Sequence, residues 1–251
     1  MKAVWLSANK LGLALLKEAI KTASFELTAI ITLREGAKTV TYDGVPTKQW
    51  RAFGVQVFEI EELNREVYLI KKLAPELIIM CGWRQILNDE ILRLPEKGVI
   101  GFHPTLLPFG RGPAPIINSI LKGVRESGLT MFYVDAGLDD GDIIAREEFE
   151  IGEDDHAGDV YNKVIKAGKK IVNRYLPLII AGKAPRTAQD ATKAVIFEKP
   201  KLENNRIELE KESIDEIYTK IKALSRPYKG AYIERNGKKL IFWKAELREG
   251  E

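Results

Sequence analysis

Two short apolar runs, Lys2 to Ala8 and Leu27 to Thr32, flank a segment in which Leu13, Leu16, Ala19 and Ile20 share one helical face. A buried strand, a helix and a second buried strand in that order begin a βαβ sheet. The stretch Glu76 to Met80 carries the argument further, because Leu-Ile-Ile-Met has no polar face and suits a parallel strand covered on both sides. The pattern therefore predicts a doubly wound, mostly parallel α/β sheet of the Rossmann-like kind. A dinucleotide site is not predicted with it. The first strand-to-helix turn reads Asn9-Lys-Leu-Gly12, which lacks the glycine spacing that lets a pyrophosphate approach the backbone.

Further along, the sequence predicts a strand at Val55 to Ile60, helices at Glu62 to Leu73 and Arg84 to Leu94, and a strand at Val99 to Phe102. A helix at Pro113 to Leu121 is followed by alternating strands at Leu129 to Val134 and Ile143 to Ile151. The long helix from His156 to Ile180 carries Val160, Val164, Ile165, Ala167 and Ile171 on its apolar side and stops at Gly182-Lys-Ala-Pro185. Arg34 to Gln49, with Asp43-Gly44 and Pro46, reads as an exposed loop. Arg186 to Asn205 has weak periodicity and reads as a linker with one short strand. Beyond it, Ile214, Ile217, Ile221 and Leu224 form a helical stripe, and Tyr228 to Trp243 a β-hairpin turning at Asn236-Gly237. The expected organisation is a main domain over residues 1–185, a linker over 186–205 and a small helix-hairpin domain over 206–251. That last piece has too little core to stand alone and should pack on the first.

Composition narrows the setting. Charged residues make up 30% of the 251-residue chain while the net charge is only +3, which argues against a dedicated nucleic-acid binder and leaves room for a local basic surface. The single cysteine, Cys81, cannot form an internal disulfide and sits in an apolar run, as a core residue would. No stretch is long and apolar enough to span a bilayer. The N-terminus runs straight into a strand pattern without the features of a leader, so a cytoplasmic location is expected.

The chemistry concentrates in two segments. Gly101-Phe-His-Pro-Thr-Leu-Leu-Pro-Phe-Gly-Arg-Gly-Pro-Ala-Pro115 holds one of only two histidines, at the carboxyl end of a predicted parallel strand, where open α/β sheets build their sites. Asp135-Ala-Gly-Leu-Asp-Asp-Gly-Asp142 follows as an acidic glycine loop. A lone histidine at a strand end is ordinarily structural, and turn loops collect aspartates for capping alone. The spacing of Asp135, Asp140 and Asp142 matches no metal-binding pattern, so no metal is expected. His156, behind Asp154 and Asp155, reads as the start of a helix.

Together the two segments resemble the 10-formyltetrahydrofolate-dependent formyltransferase family, in which an H-x-S/T-L-L-P-x-x-R-G run and a D-x-G-x-D-x-G loop transfer a formyl group to an amine. Arg226-Pro-Tyr-Lys-Gly-Ala-Tyr232 and Leu240-Ile-Phe-Trp-Lys244 also resemble the start of the C-terminal domain of methionyl-tRNA formyltransferases, here in truncated form. The resemblance implies that His103 relays protons and Asp139 sets its charge and orientation. It implies a pterin pocket between Gln85, Ile86 and Leu87 on one side and Asp135, Ala136, Gly137, Leu138 and Asp139 on the other. Thr105, Leu106, Leu107 and Pro108 match the folate-contacting run. The chain departs at Gly101, where the family places a catalytic asparagine that faces the oxyanion. Three accounts follow: a replacement donor from Thr105, Asn118 or Gln85; an ordered water in the vacated space; or a folate-binding protein that no longer transfers formyl. The implied acceptor is methionyl-tRNA or a nucleotide-linked amino sugar, with formyltetrahydrofolate hydrolysis as a third chemistry. Arg34, Lys38, Lys48 and Arg51 are candidates to touch its phosphates, or a solvated surface. Trp83 and Trp243 are expected in packing rather than stacking on a ligand.

Overall fold

The computed structural model describes residues 1–37, 39, 42–200 and 205–248. Lys38, residues 201–204 of the expected linker and residues 249–251 of the expected C-terminal domain lie outside the described residues. From the N-terminus, the first half comprises β1 (Lys2–Leu6), α1 (Lys10–Ala19), β2 (Glu26–Leu33), α2 (Thr47–Arg51), β3 (Gln56–Ile60), α3 (Val67–Leu73), β4 (Leu77–Cys81), α4 (Asp89–Leu92) and β5 (Val99–His103). There follow β6 (Phe109–Arg111), α5 (Pro115–Leu121), β7 (Glu126–Tyr133), β8 (Ile143–Glu150) and α6 (Ala157–Ile180). The chain closes with β9 (Val195–Ile196), α7 (Ile214–Leu224), β10 (Ala231–Arg235) and β11 (Lys238–Phe242).

The main sheet has seven strands in the order β3-β2-β1-β4-β5-β7-β8. The first five run parallel, while β7 lies antiparallel to β5 and β8 antiparallel to β7. The strand order reverses between β1 and β4, the arrangement that opens a crevice at the carboxyl ends of the strands. The unbroken apolar runs now have their reason. Ala3, Trp5, Leu77 and Ile79 face a core shared with α1 and α6, whereas Val4, Leu6 and Ile78 face a second core under α3 and α4. Each buried Val, Leu or Ile side chain among these contributes about 1.5–3 kcal/mol by leaving water, so both faces hold the sheet.

Local chemistry sets the element ends. Asn9 caps α1, its Oδ1 accepting the Gly12 N–H at 2.9 Å. A Cβ at Gly12 would stand 1.8 Å from Ser7 Oγ, so this glycine serves the close approach of strand to helix. Asn236 and Gly237 both take positive φ, 51° and 70°, as a tight hairpin turn requires.

Several expectations are corrected. The helix expected over Arg84 to Leu94 is only the short α4. Asn88 starts it by accepting the Ile91 N–H at 3.0 Å, and the residues before it are irregular and bonded to the segment around Leu63. The helix expected from Glu62 begins as a 3-10 turn at Leu63–Arg65. The loop over Arg34 to Gln49 is largely exposed as expected but anchored at one point, where Asp43 is buried and Tyr161 on α6 donates to its carboxylate. Ile20 and Ile214, expected on apolar stripes, are exposed at a helix end and a helix start, where the stripe has turned past its partner.

The segment read as a linker is stitched down along part of its length. Thr187 exchanges backbone bonds with Ile143, β9 pairs with β6, and Phe197 is fully buried. Beyond it, Ile217, Ile221, Leu224 and Ala231 join the same core as α1 and α6, and Ser225 Oγ accepts the Ala157 N–H at 3.0 Å. The C-terminal helix and hairpin thus share the core of the main domain. Among the described residues no helix is long and apolar enough to cross a membrane.

Candidate active site

β5 ends at His103 between β4 and β7, at the carboxyl edge of the parallel strands. The imidazole is nearly buried, with its side chain 8% exposed, and both ring nitrogens face oxygen acceptors. Nε2 lies 2.7 Å from the Gly110 carbonyl, and Nδ1 lies 3.5 Å from Asp139 Oδ2. A carbonyl only accepts, so Nε2 carries a proton, and Nδ1 is the nitrogen turned toward Asp139. Asp139 reaches this position from the acidic loop with φ +49, the left-handed region. Its Oδ2 accepts the Gly112 N–H at 2.9 Å. Among the described residues Oδ1 accepts no hydrogen bond, and the side chain is 25% exposed. The pair therefore offers one buried proton carrier and one open carboxylate oxygen beside it.

The segment after His103 is pinned from behind. Thr130 Oγ1 donates to the Thr105 carbonyl at 2.7 Å and accepts the Leu107 N–H at 3.1 Å. Thr105 and Leu107 are buried, and Leu106 packs on Gly128, where a Cβ would stand 2.3 Å from its Cδ2. Of this run only Leu106 and Pro108 remain half-buried. The acidic loop is held mainly by residues outside it, with Gly112, Gln189 and Arg186 bonded to Asp139, Gly141 and Asp142. Asp135 Oδ1 accepts the Ala136 N–H at 2.6 Å, and a Cβ at Gly137 would stand 2.0 Å from the Asp140 carboxylate. Asp142 pairs with Arg186 at 3.2 Å. That guanidinium also lies 3.9 Å over the Tyr133 ring.

A cavity of about 620 Å³ opens under the loop, with Leu92, Val99, Val134 and Ala136 as an apolar wall and Asp135, Asp140 and Asp142 on its polar edge, while His103 and Asp139 lie outside its lining. Gln85, Ile86 and Leu87 do not line it. The Gln85 amide donates to the Glu61 carbonyl at 2.6 Å and accepts the Leu63 N–H at 2.8 Å. Ile86 is exposed, its carbonyl accepting from Asn64, while Leu87 is buried in the second core. Leu138 is exposed at the rim.

The space expected beside Gly101 is filled. A Cβ there would stand 2.9 Å from both Phe132 Cε1 and Val134 Cγ2, so the gap that was to hold a water is taken by these two side chains. The proposed replacement donors are also engaged. Asn118 Nδ2 donates to the carbonyls of Pro113, Ala114 and Glu198, the Gln85 amide is committed as above, and the Thr105 hydroxyl reaches toward Gly110 O at 3.5 Å. Cys81 is fully buried, and burial first, then the nearby Asp43 charge, pushes its thiol well above the usual range. A thiol so protected is no nucleophile. Trp83 packs at the edge of the second core, and Arg226 lies 4.6 Å over the Trp243 ring.

Sequence reasoning missed Gln189, which bonds to both motifs from the supposed linker, and Gly110, whose carbonyl holds His103. No periodicity or motif marks either contact.

A doubly wound sheet with two antiparallel strands added at one edge, a His-Asp pair at a strand end and a helix-hairpin appendage define a class of fold and site. The formyl transferase family matches residues 3–176, and its C-terminal domain matches residues 199–251. The chain belongs to the formyl transferase family and is an enzyme of that family. It is 33% identical over 227 residues to the methionyl-tRNA formyltransferase of Bacillus velezensis, covering 88% of this chain and 71% of that one. A 4-N formyltransferase from Francisella tularensis superposes with a TM-score of 0.78 at 22% identity, over 99% of this chain and 98% of its own. An N-formyltransferase from Helicobacter canadensis, solved with folinic acid and dTDP-3-aminofucose, gives a TM-score of 0.71 at 20% identity, over 96% and 86%.

Proposed function

We propose that this chain transfers the formyl group of 10-formyltetrahydrofolate to a primary amine, with the amino group of methionyl-tRNA as acceptor. The observation that carries the reading is the His103–Asp139 pair, with Asp139 Oδ1 open beside a nearly buried imidazole. The amine lone pair attacks the formyl carbon, and the carbonyl electrons move onto oxygen. The intermediate collapses by expelling N10 of the folate, which takes up a proton, while the amine nitrogen loses one. Asp139 Oδ1 is the atom suited to hold the incoming ammonium and receive its proton, and His103 stabilises that carboxylate and passes the proton on. The 3.5 Å separation between Nδ1 and Oδ2 is of the kind that tightens when substrate binds.

The apolar wall and polar edge of the cavity suit the flat, hydrogen-bonding pterin. Gly101 stands where the resemblance implies an asparagine. Without that amide, an oxyanion-hole donor worth about 100- to 1,000-fold in rate is absent unless another group moves in. The packed Phe132 and Val134 favour a slower member of the usual mechanism over a vacated pocket holding water.

For the acceptor, the methionyl-tRNA formyltransferase relative supports an RNA-linked amine. A shallow groove between α1 and α6 supports a polyanion too, since Lys10, Lys17, Lys21 and Lys169 line it against Glu18 alone among acids. The Francisella enzyme, matched along 98% of its own length, favours a second reading in which the amine belongs to a nucleotide-linked sugar. Release of tetrahydrofolate from 10-formyltetrahydrofolate separates the readings when measured with methionyl-tRNA, with nucleotide-linked amino sugars and with water alone. The fastest release is expected with methionyl-tRNA. Equal release without any amine would mark a hydrolase, and failure to bind folate at millimolar concentration would remove the assignment.

A further inference from the structure

We propose that Gln189 is a positioning residue whose side-chain amide clasps Arg111 to the acidic loop and thereby sets Asp139 against His103. The proposal rests on the reading of His103 and Asp139 as the reacting pair. Gln189 Oε1 accepts two bonds from one guanidinium, from Arg111 Nε at 3.1 Å and Nη2 at 2.8 Å. Its Nε2 donates to the carbonyls of Asp139 at 2.9 Å and Gly141 at 2.8 Å. A guanidinium only donates and a carbonyl only accepts, so the partners fix which way the amide points. Flipped, it would set NH₂ against the guanidinium and oxygen against two carbonyls.

The clasp closes a ring. Gly110, Arg111 and Gly112 are consecutive, and they hold His103 Nε2, Gln189 Oε1 and Asp139 Oδ2 respectively. Gln189 completes the circuit by tying Arg111 to the backbone on either side of Asp140. Asp139 needs such support. A non-glycine residue in the left-handed region costs about 1–3 kcal/mol and persists where its surroundings over-determine it.

Gln189 is itself delivered on fixed backbone. Thr187 exchanges two backbone bonds with Ile143, and the Asp190 carboxylate accepts the Thr192 N–H at 3.0 Å. Between them Gln189 is half-buried while Thr187, Ala188 and Asp190 are exposed. The side chain is thus aimed inward from an otherwise solvated stretch.

The chain has only two histidines, so histidine-selective ¹⁵N labelling reports the imidazole of His103 with His156 as an internal reference. The informative variants of the full chain are Q189L, which removes all four bonds, and Q189E, which keeps the Arg111 pair but turns a carboxylate onto two carbonyls. D139N serves as the calibrating change. Both Gln189 variants are expected to move the His103 nitrogen signals in the direction D139N moves them and to leave His156 in place. Formyl transfer should then fall in kcat by roughly 100-fold, as a displacement near 1 Å can cost, with the KM for folate changed less than about threefold. Should one variant fail to fold, the other carries the test. His103 signals that stay at their wild-type positions in the folded Gln189 variants would overturn the proposal, as would a D139N change to which His103 is blind. Signals that move in a protein that transfers no formyl to any amine would uphold the clasp and reject only the formyl-transfer reading.

Discussion

The two histidines sit in opposite kinds of surroundings. His103 ends a central strand, its ring held between the Gly110 carbonyl and Asp139 and its neighbours drawn from the segments 104–112 and 135–142. His156 precedes α6, with Nδ1 at 3.0 Å from the Asp154 carbonyl and its backbone N–H donating to Asp159. Its Nε2 has no partner among the described residues, and its ring meets Tyr218 edge-on at 6.4 Å. Both imidazoles touch a backbone carbonyl, yet only His103 faces a carboxylate with an open oxygen. Residue type does not make the difference. A partner brought from far along the chain does.

The sharpest way to break the comparison is to delete each ring. His103→Ala should lower formyl transfer on the order of 10,000-fold, the upper range for a lost acid-base group, as read by tetrahydrofolate release. A variant retaining a tenth of the wild-type turnover would leave His103 a structural residue. Asp139→Asn comes next. It keeps an acceptor for the Gly112 N–H but removes the charge, and turnover should fall on the order of 100-fold with the fold intact by circular dichroism. Full activity would reduce Asp139 to a turn residue.

Gly101→Asn sharpens the contrast at the other side of His103. Its Cβ would meet Phe132 and Val134, so the variant should lose about 1–3 kcal/mol in denaturant titration and fall in turnover. A gain in turnover would mean that Phe132 and Val134 yield and that the chain lacks only the amide. The smallest effect is expected at His156→Ala, where loss of the residue before α6 should cost about 1 kcal/mol or less and leave turnover unchanged. A large loss of activity there would erase the distinction between the two rings.

Much of the fold was legible because it is local. Apolar periodicity placed the five parallel strands, α1, α6 and α7, and Asn236-Gly237 announced its hairpin. The arms of the site were legible as motifs. Harder to read were short elements whose neighbours decide them. Arg84 to Leu94 has helical spacing, but Asn88 caps only the short α4 and Gln85 bonds to the chain near Leu63. Ile214 continues a stripe by spacing, yet that stripe begins beyond the core.

By itself the sequence determined the alternation of strands and helices, the doubly wound sheet and the two motif segments of the candidate site, since each is a pattern within a few turns or a few residues. Only the tertiary structure decided what those segments meet. Phe132 and Val134 close the space at Gly101 because β7 runs antiparallel to β5 and sets Phe132, with Val134 just past the strand's end, against a residue distant in the sequence. Gln189 reaches the Asp139 carbonyl across 50 residues, a contact that no local preference encodes and that exists only once the core has brought both segments to one edge of the sheet.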